Sequence, residues 1–152
     1  MYINKYEKIG APVVVLLAPM MVSGSDLYEL MGTHFTGEYC IIAPDQGGHG
    51  KSGAYISADE EYRFLKEFFQ REGIEDIHLV YGASLGVAVA YRLFLDPDFN
   101  VAHAWFDGVA LAGCWICGMV YEETLQKQEE KTGENSCGSF GKPCEDVWIR
   151  FR

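Results

Sequence analysis

The sequence predicts an α/β protein: a three-layer open parallel sheet with helices on both faces and about four core strands. Two observations carry this. Apolar runs of strand length, Pro12 to Leu17, Tyr39 to Ala43 and Ile77 to Tyr81, show no polar alternation, as strands buried on both faces do not. Between them lie segments with helical start and stop signals. Strands that alternate with helices call for crossover connections, which bring every loop that follows a strand to one edge of the sheet.

Taken in order, Met1 to Ile9 is expected to give a short irregular strand, and the β-branched run Pro12 to Leu17 a central one. Ala18 to Gly24 ends it, with Ser23 or Ser25 capping a short helix through about Met31. The second core strand runs into Pro44 to Gly53, a stretch too rich in Gly for either regular element. Ser57-Ala58-Asp59-Glu60 is an N-terminal capping sequence with acids where the helix dipole favours them. Tyr62, Leu65, Phe68 and Phe69 form one stripe of that helix, and Gly73 stops it. After the strand at Ile77 to Tyr81 comes an apolar helix, Leu85 to Leu95, closed by Asp96-Pro97. A last strand is placed at Val109 to Ala112. From Gly118 the composition turns polar, so residues 1–117 read as core and 118–152 as the start of a cap or an irregular tail.

Between the third strand and its helix sits Gly82-Ala83-Ser84-Leu85-Gly86, a G-x-S-x-G pattern in a strand-turn-helix context. A bend this sharp needs small residues two before and two after the turn residue, because side chains there would meet the neighbouring strand and helix. Gly82 and Gly86 fill both places, and Ser84 would present its hydroxyl at the carboxyl edge of the sheet. A serine nucleophile also needs an oxyanion hole. The Leu85 amide at the helix start is one candidate donor, and the amide of Met20, with Met21 as next choice, is the other, on the loop after the first long strand.

Val13 to Leu17, the stretch Ile41 to Ser52 (Ile-Ile-Ala-Pro-Asp-Gln-Gly-Gly-His-Gly-Lys-Ser) and Gly82 to Gly86 occur in an order and spacing that resemble the amino-terminal part of an α/β-hydrolase-fold serine hydrolase. The likeness covers roughly Pro12 to Trp115. It implies hydrolysis of an ester, thioester or amide by Ser84, with no cofactor and no metal. The sequence departs from the family at Ala18-Pro19, where many relatives carry His-Gly.

A second departure is larger. The family places its triad acid and histidine after the nucleophile, following later strands. After Ser84 the chain has only His103, which precedes the strand placed at Val109 and so is expected toward the opposite edge; Asp107 is set aside on the same ground. His49 reaches the correct edge, but the resemblance implies a bracing role there. His34 and His78 carry no functional expectation. A sheet ending at Val109 to Ala112 would also leave an apolar edge strand unpaired. The expectation is therefore half of a longer design, with base and acid outside this chain. The remainder would be missing, supplied by a second chain, or lost from a truncated product.

Rival constellations are weaker. Gly50-Lys51-Ser52 nearly completes a phosphate-binding loop, but Asp45 stands where its first Gly belongs and no helix starts after Ser52. Cys114-Trp115-Ile116-Cys117 with Cys137 and Cys144 lacks a second tight pair for zinc, and follows the last strand rather than opening a helix as a redox pair would.

With 49% apolar residues the chain is no disordered segment. A formal net charge of −10, with 12 scattered basic residues, excludes nucleic acid and anionic membrane surfaces as partners. No signal-peptide pattern opens the chain, and its longest apolar run, Ala11 to Val22, is about half a membrane span. Five cysteines, an odd number, point to free thiols and a cytoplasmic home. Met20, Met21, Tyr55 and Trp115 near the expected crevice suggest a small to medium, partly apolar substrate. The alternative to a hydrolase is a catalytically silent domain kept for binding or assembly.

Overall fold

The computed structural model describes residues 1–6, 10–35, 38–108 and the backbone of 147–150. The strand expected at Val109 to Ala112, Trp115, most of the segment 118–152 and Cys114, Cys117, Cys137 and Cys144 lie outside the described residues. Strands β1 (Tyr2–Tyr6), β2 (Val13–Leu17), β3 (Cys40–Asp45), β4 (Asp76–Ala83), β5 (Asn100–Asp107) and β6 (Val147–Arg150) form one sheet in the order β1-β3-β2-β4-β5-β6. From β3 to β6 each strand runs parallel to its neighbour.

Alternation along the buried strands separates two cores. Val15, Leu17 and Ile42 face α2 (Ala58–Glu72) and α3 (Leu85–Leu95), packing on Leu65, Phe69, Val89 and Leu93. Val14, Leu16, Ile41 and Ala43 face the other way, onto Leu27 of α1 (Gly24–Leu30). Helices therefore cover both faces, as expected.

The helix ends follow local chemistry. Ser23 caps α1 in a reciprocal capping box with Asp26, Ser57 Oγ accepts from the Glu60 amide at the start of α2, and Gly73 ends α2 in the left-handed region at φ 67°.

The sequence reading needs three corrections. The sheet is mixed, not wholly parallel, because β1 pairs antiparallel with β3 at the edge. There Asn4 donates to Ala43 O (2.9 Å) and Lys5 pairs with Glu72 (3.0 Å), polar groups that blunt an open edge. The strand after α3 starts at Asn100, ahead of the continuous apolar run. Its buried residues Val101, Ala104 and Phe106 are interrupted by exposed Ala102 and Trp105, so no continuous apolar run marks this strand in the sequence. Finally, β5 is not left unpaired, since β6 continues the sheet beside it, within a segment read as cap or tail.

The α2 stripe generates a stability contrast. Phe69→Ala, at a position with no exposure, should cost about 3–5 kcal/mol in urea unfolding. Phe64→Ala, on the 40% exposed side of the same helix, should cost under about 1 kcal/mol.

Candidate active site

In chain order β2 is followed by β3 on one side, and the next strand, β4, returns to the other side of β2. The connections thus part in opposite directions above β2 and β4, which is where open α/β sheets form their ligand crevice. Two turns flank that point, one after each strand.

The turn after β4 is built on close backbone approach. A Cβ on Gly86 would lie 2.3 Å from Leu17 O and 2.9 Å from Ala18 O, and one on Gly82 would lie 2.6 Å from the Ala90 methyl. Without side chains at both places, α3 rests directly on the end of β2 and on the strand that feeds it. Ser84 lies between them at φ 46°, ψ −105°, a conformation that costs a residue with a Cβ about 1–3 kcal/mol. Its amide donates to Asp107 O at the tip of β5 (2.9 Å), its carbonyl accepts from Val87 N–H (3.1 Å), and its side chain is exposed. Among the described residues no acceptor takes the Leu85 amide, at the positive end of the α3 dipole.

The turn after β2 is a type II turn. Val22 N–H reaches Pro19 O (3.3 Å), and Met21, its third residue, has φ 69° while Met20 does not enter the left-handed region. Both methionine side chains are exposed, 65% for Met20 and 88% for Met21. The Met20 amide has no acceptor among the described residues, whereas Met21 N–H donates to His49 Nε2 (2.7 Å).

Residues 45–52, after β3, hold this turn from the side. Asp45 is 1% exposed and its carboxylate is fully used: Oδ1 accepts from Gly24 N–H and Asn4 Nδ2, and Oδ2 from Lys51 N–H, each at 2.8 Å. A Cβ on Gly50 would lie within 2.1 Å of that carboxylate. His49 Nδ1 bonds Gly47 O (2.9 Å), so the ring carries its proton on Nδ1 and accepts at Nε2. A shallow cleft of about 440 Å³ lies here, lined by Met21, Ser23, Asp26, Gly48, His49 and Gly50.

Asp107 belongs to the site edge. Sequence reasoning set it at the opposite end because the strand was placed too late; in the structure it ends β5, in register with Ala83, beside Ser84. His103 lies within β5 opposite Leu79, four residues short of that tip, with its ring against His78. His34 is exposed in the 3-10 turn after α1. None of the three reaches Ser84.

Two further polar residues, Gln46 and Glu61, were not singled out by sequence. Gln46 is 1% exposed and neither side-chain polar atom has a partner among the described residues; the same holds for Glu61 Oε2 and Asp107 Oδ1. Folded proteins rarely leave such groups unpaired. Gln46 and Asp107 follow or end strands at the edge that holds Ser84, and Glu61 accepts there from Gly47 N–H (3.1 Å). Burial raises the Glu61 carboxyl above its ordinary range, against the opposing pull of the Gly47 bond. Among the described residues no three His, Cys, Asp or Glu side chains converge as a metal would require, and no helix is long and apolar enough to cross a membrane.

No family model matches the sequence, and no curated protein matches it. Solved structures do match. An α/β hydrolase family protein from Desulfitobacterium hafniense superposes with a TM-score of 0.64 at 20% identity, over 70% of this chain and 43% of its own. A marine microorganism esterase gives 0.64 at 17% identity, over 86% and 50%. An ancestral haloalkane dehalogenase gives 0.56 at 27% identity, over 68% and 37%. The chain thus spans half or less of the length of these structures.

Two outcomes follow from this geometry. Ser84→Gly should unfold about 1 kcal/mol later than Ser84→Ala, because only glycine relieves φ 46°, and Gly86→Ala should destabilise by about 1–3 kcal/mol in the same urea titration. Glu61 binds its proton more tightly folded than unfolded, so it withdraws stability as pH rises through the ordinary carboxyl range toward the raised folded value. Glu61→Gln should therefore gain stability at neutral pH and match the parent in acid, in thermal melts at both pH values.

Proposed function

The described chain has an α/β-hydrolase fold, and from that premise we propose that it is a serine hydrolase acting on a small ester, thioester or amide. One observation carries the reading: an exposed hydroxyl on a strained strand-to-helix turn at the sheet's switch point. In this role the bend at Ser84 is a nucleophile elbow. Ser84 Oγ attacks the carbonyl carbon, and the negative charge that develops on oxygen is met by the amides of Leu85 and Met20, neither of which is otherwise bonded among the described residues.

The hydroxyl needs a base to take its proton. His49 is engaged with Met21 and Gly47, and His103 lies short of the edge. The base is therefore assigned to a histidine outside the described residues, in a further segment or a second chain. Asp107 has an unpartnered carboxylate oxygen beside the turn and is the acid best placed to orient that base. Exposed Met20 and Met21 on the turn beside the site favour a partly apolar acyl group. The acidic charge favours neither nucleic acid nor membrane as partner, and a cytoplasmic setting suits the odd thiol count.

The expected result with a p-nitrophenyl acyl ester is turnover that falls at least about 10³-fold in Ser84→Ala, with the fold retained by circular dichroism. Folded protein without turnover, in the presence of any completing chain, would favour the silent binding domain instead.

A further inference from the structure

We propose that His49 is an acid-sensitive latch that holds the turn carrying the Met20 amide in its active form. The proposal rests on the hydrolase reading for its catalytic consequence, but the latch itself is a matter of backbone conformation. A type II turn asks for glycine or asparagine at its third position, and here that position is Met21 at φ 69°. Methionine gains nothing from the left-handed region, and a turn of two methionines would relax to type I by rotating the Met20–Met21 peptide.

One bond opposes that rotation. The peptide's N–H, on Met21, is held by His49 Nε2 at 2.7 Å, and the ring is in turn fixed through Nδ1 to Gly47 O at 2.9 Å. The pair works in one protonation state only. With both ring nitrogens protonated, Nε2–H faces Met21 N–H, donor against donor, and the acceptor that stabilises the strained peptide is gone. The Met20 amide lies in the adjoining Pro19–Met20 peptide, so the proposed oxyanion donor is not itself rotated but loses the fixed turn that holds it in place.

The charged groups around the ring do not offer it a second arrangement. Asp26 on α1 lines the same cleft, but its Oδ2 takes Ser23 Oγ (2.6 Å). Asp45 and Lys51, on the loop of His49 itself, are joined to each other through the Lys51 amide (2.8 Å). Glu61 on α2 places Oε1 on Gly47 N–H (3.1 Å). The latch therefore opens on acidification, when the Nε2 acceptor of Met21 N–H is lost.

The experiment uses the full chain labelled with ¹⁵N-methionine, with Met21 amide protection from hydrogen exchange measured at about pH 7.5 and about pH 5. The parent protein should lose about tenfold or more in protection factor on going to pH 5, the equivalent of one hydrogen bond. His49→Gln, which carries a neutral acceptor near the same position, should show no such change, and His49→Ala should lack the protection at both pH values. In ester turnover, His49→Ala should lower kcat about tenfold or more with KM little altered, and adding Met21→Gly, which makes the type II turn strain-free, should restore most of it. Equal Met21 protection at both pH values in the parent would overturn the latch. Failure of Met21→Gly to restore kcat in an active enzyme would overturn its link to catalysis. The protection pattern without turnover in any variant would keep the latch and reject the hydrolase reading.

Discussion

The arrangement depends on one close crossing, where the first turn of α3 lies on the backbone at the end of β2 with no side chain between them. A Cβ at Gly86 would stand 2.3 Å from a carbonyl oxygen of β2, so the contact exists only because that position is glycine. The consequences are positional. The helix start, with a Leu85 amide that has no acceptor among the described residues and the positive dipole end, is brought to the strand whose following turn carries Met20, and the residue that joins β4 to the helix is forced into a strained, outward bend.

The second organising element is the loop after β3, which spends its polar side chains on backbone rather than on solvent. Asp45 holds Gly24 and Lys51 amides while Asn4 ties the edge strand to it, and His49 reaches across to Met21. One loop thereby fixes the start of α1, the turn after β2 and the packing of β1 on β3. A sheet edge whose loops are tied to each other in this way is preorganised: its amides keep their orientation without reorganising during a reaction.

Much of this was legible in the sequence because the signals are short-range. The apolar run at Ile77 to Tyr81, the glycines at 82 and 86, the caps at Ser23 and Ser57 and the stop at Gly73 each depend on neighbours a few residues away. What was missed depends on distant ones. Asn100 to Asp107 interleaves His103 and Trp105 with buried residues, a pattern weaker than the continuous run after it, and misplacing that strand carried Asp107 to the wrong edge. Gln46 and Glu61 look like solvated polar residues in sequence, yet both are buried in the fold, Glu61 where Gly47 comes close to it and to Tyr55. The left-handed Met21 has no local signature at all, since the bond that supports it comes from residue 49. The four-residue β6 was too short to stand out from the polar stretch before it.

Covalent modification by a fluorophosphonate, mapped by peptide mass spectrometry on the folded chain with any completing segment present, tests the central claim most directly. A single stoichiometric adduct is expected on the peptide containing Ser84, absent after prior denaturation. An adduct at another hydroxyl, or none on protein shown to be folded, would contradict it.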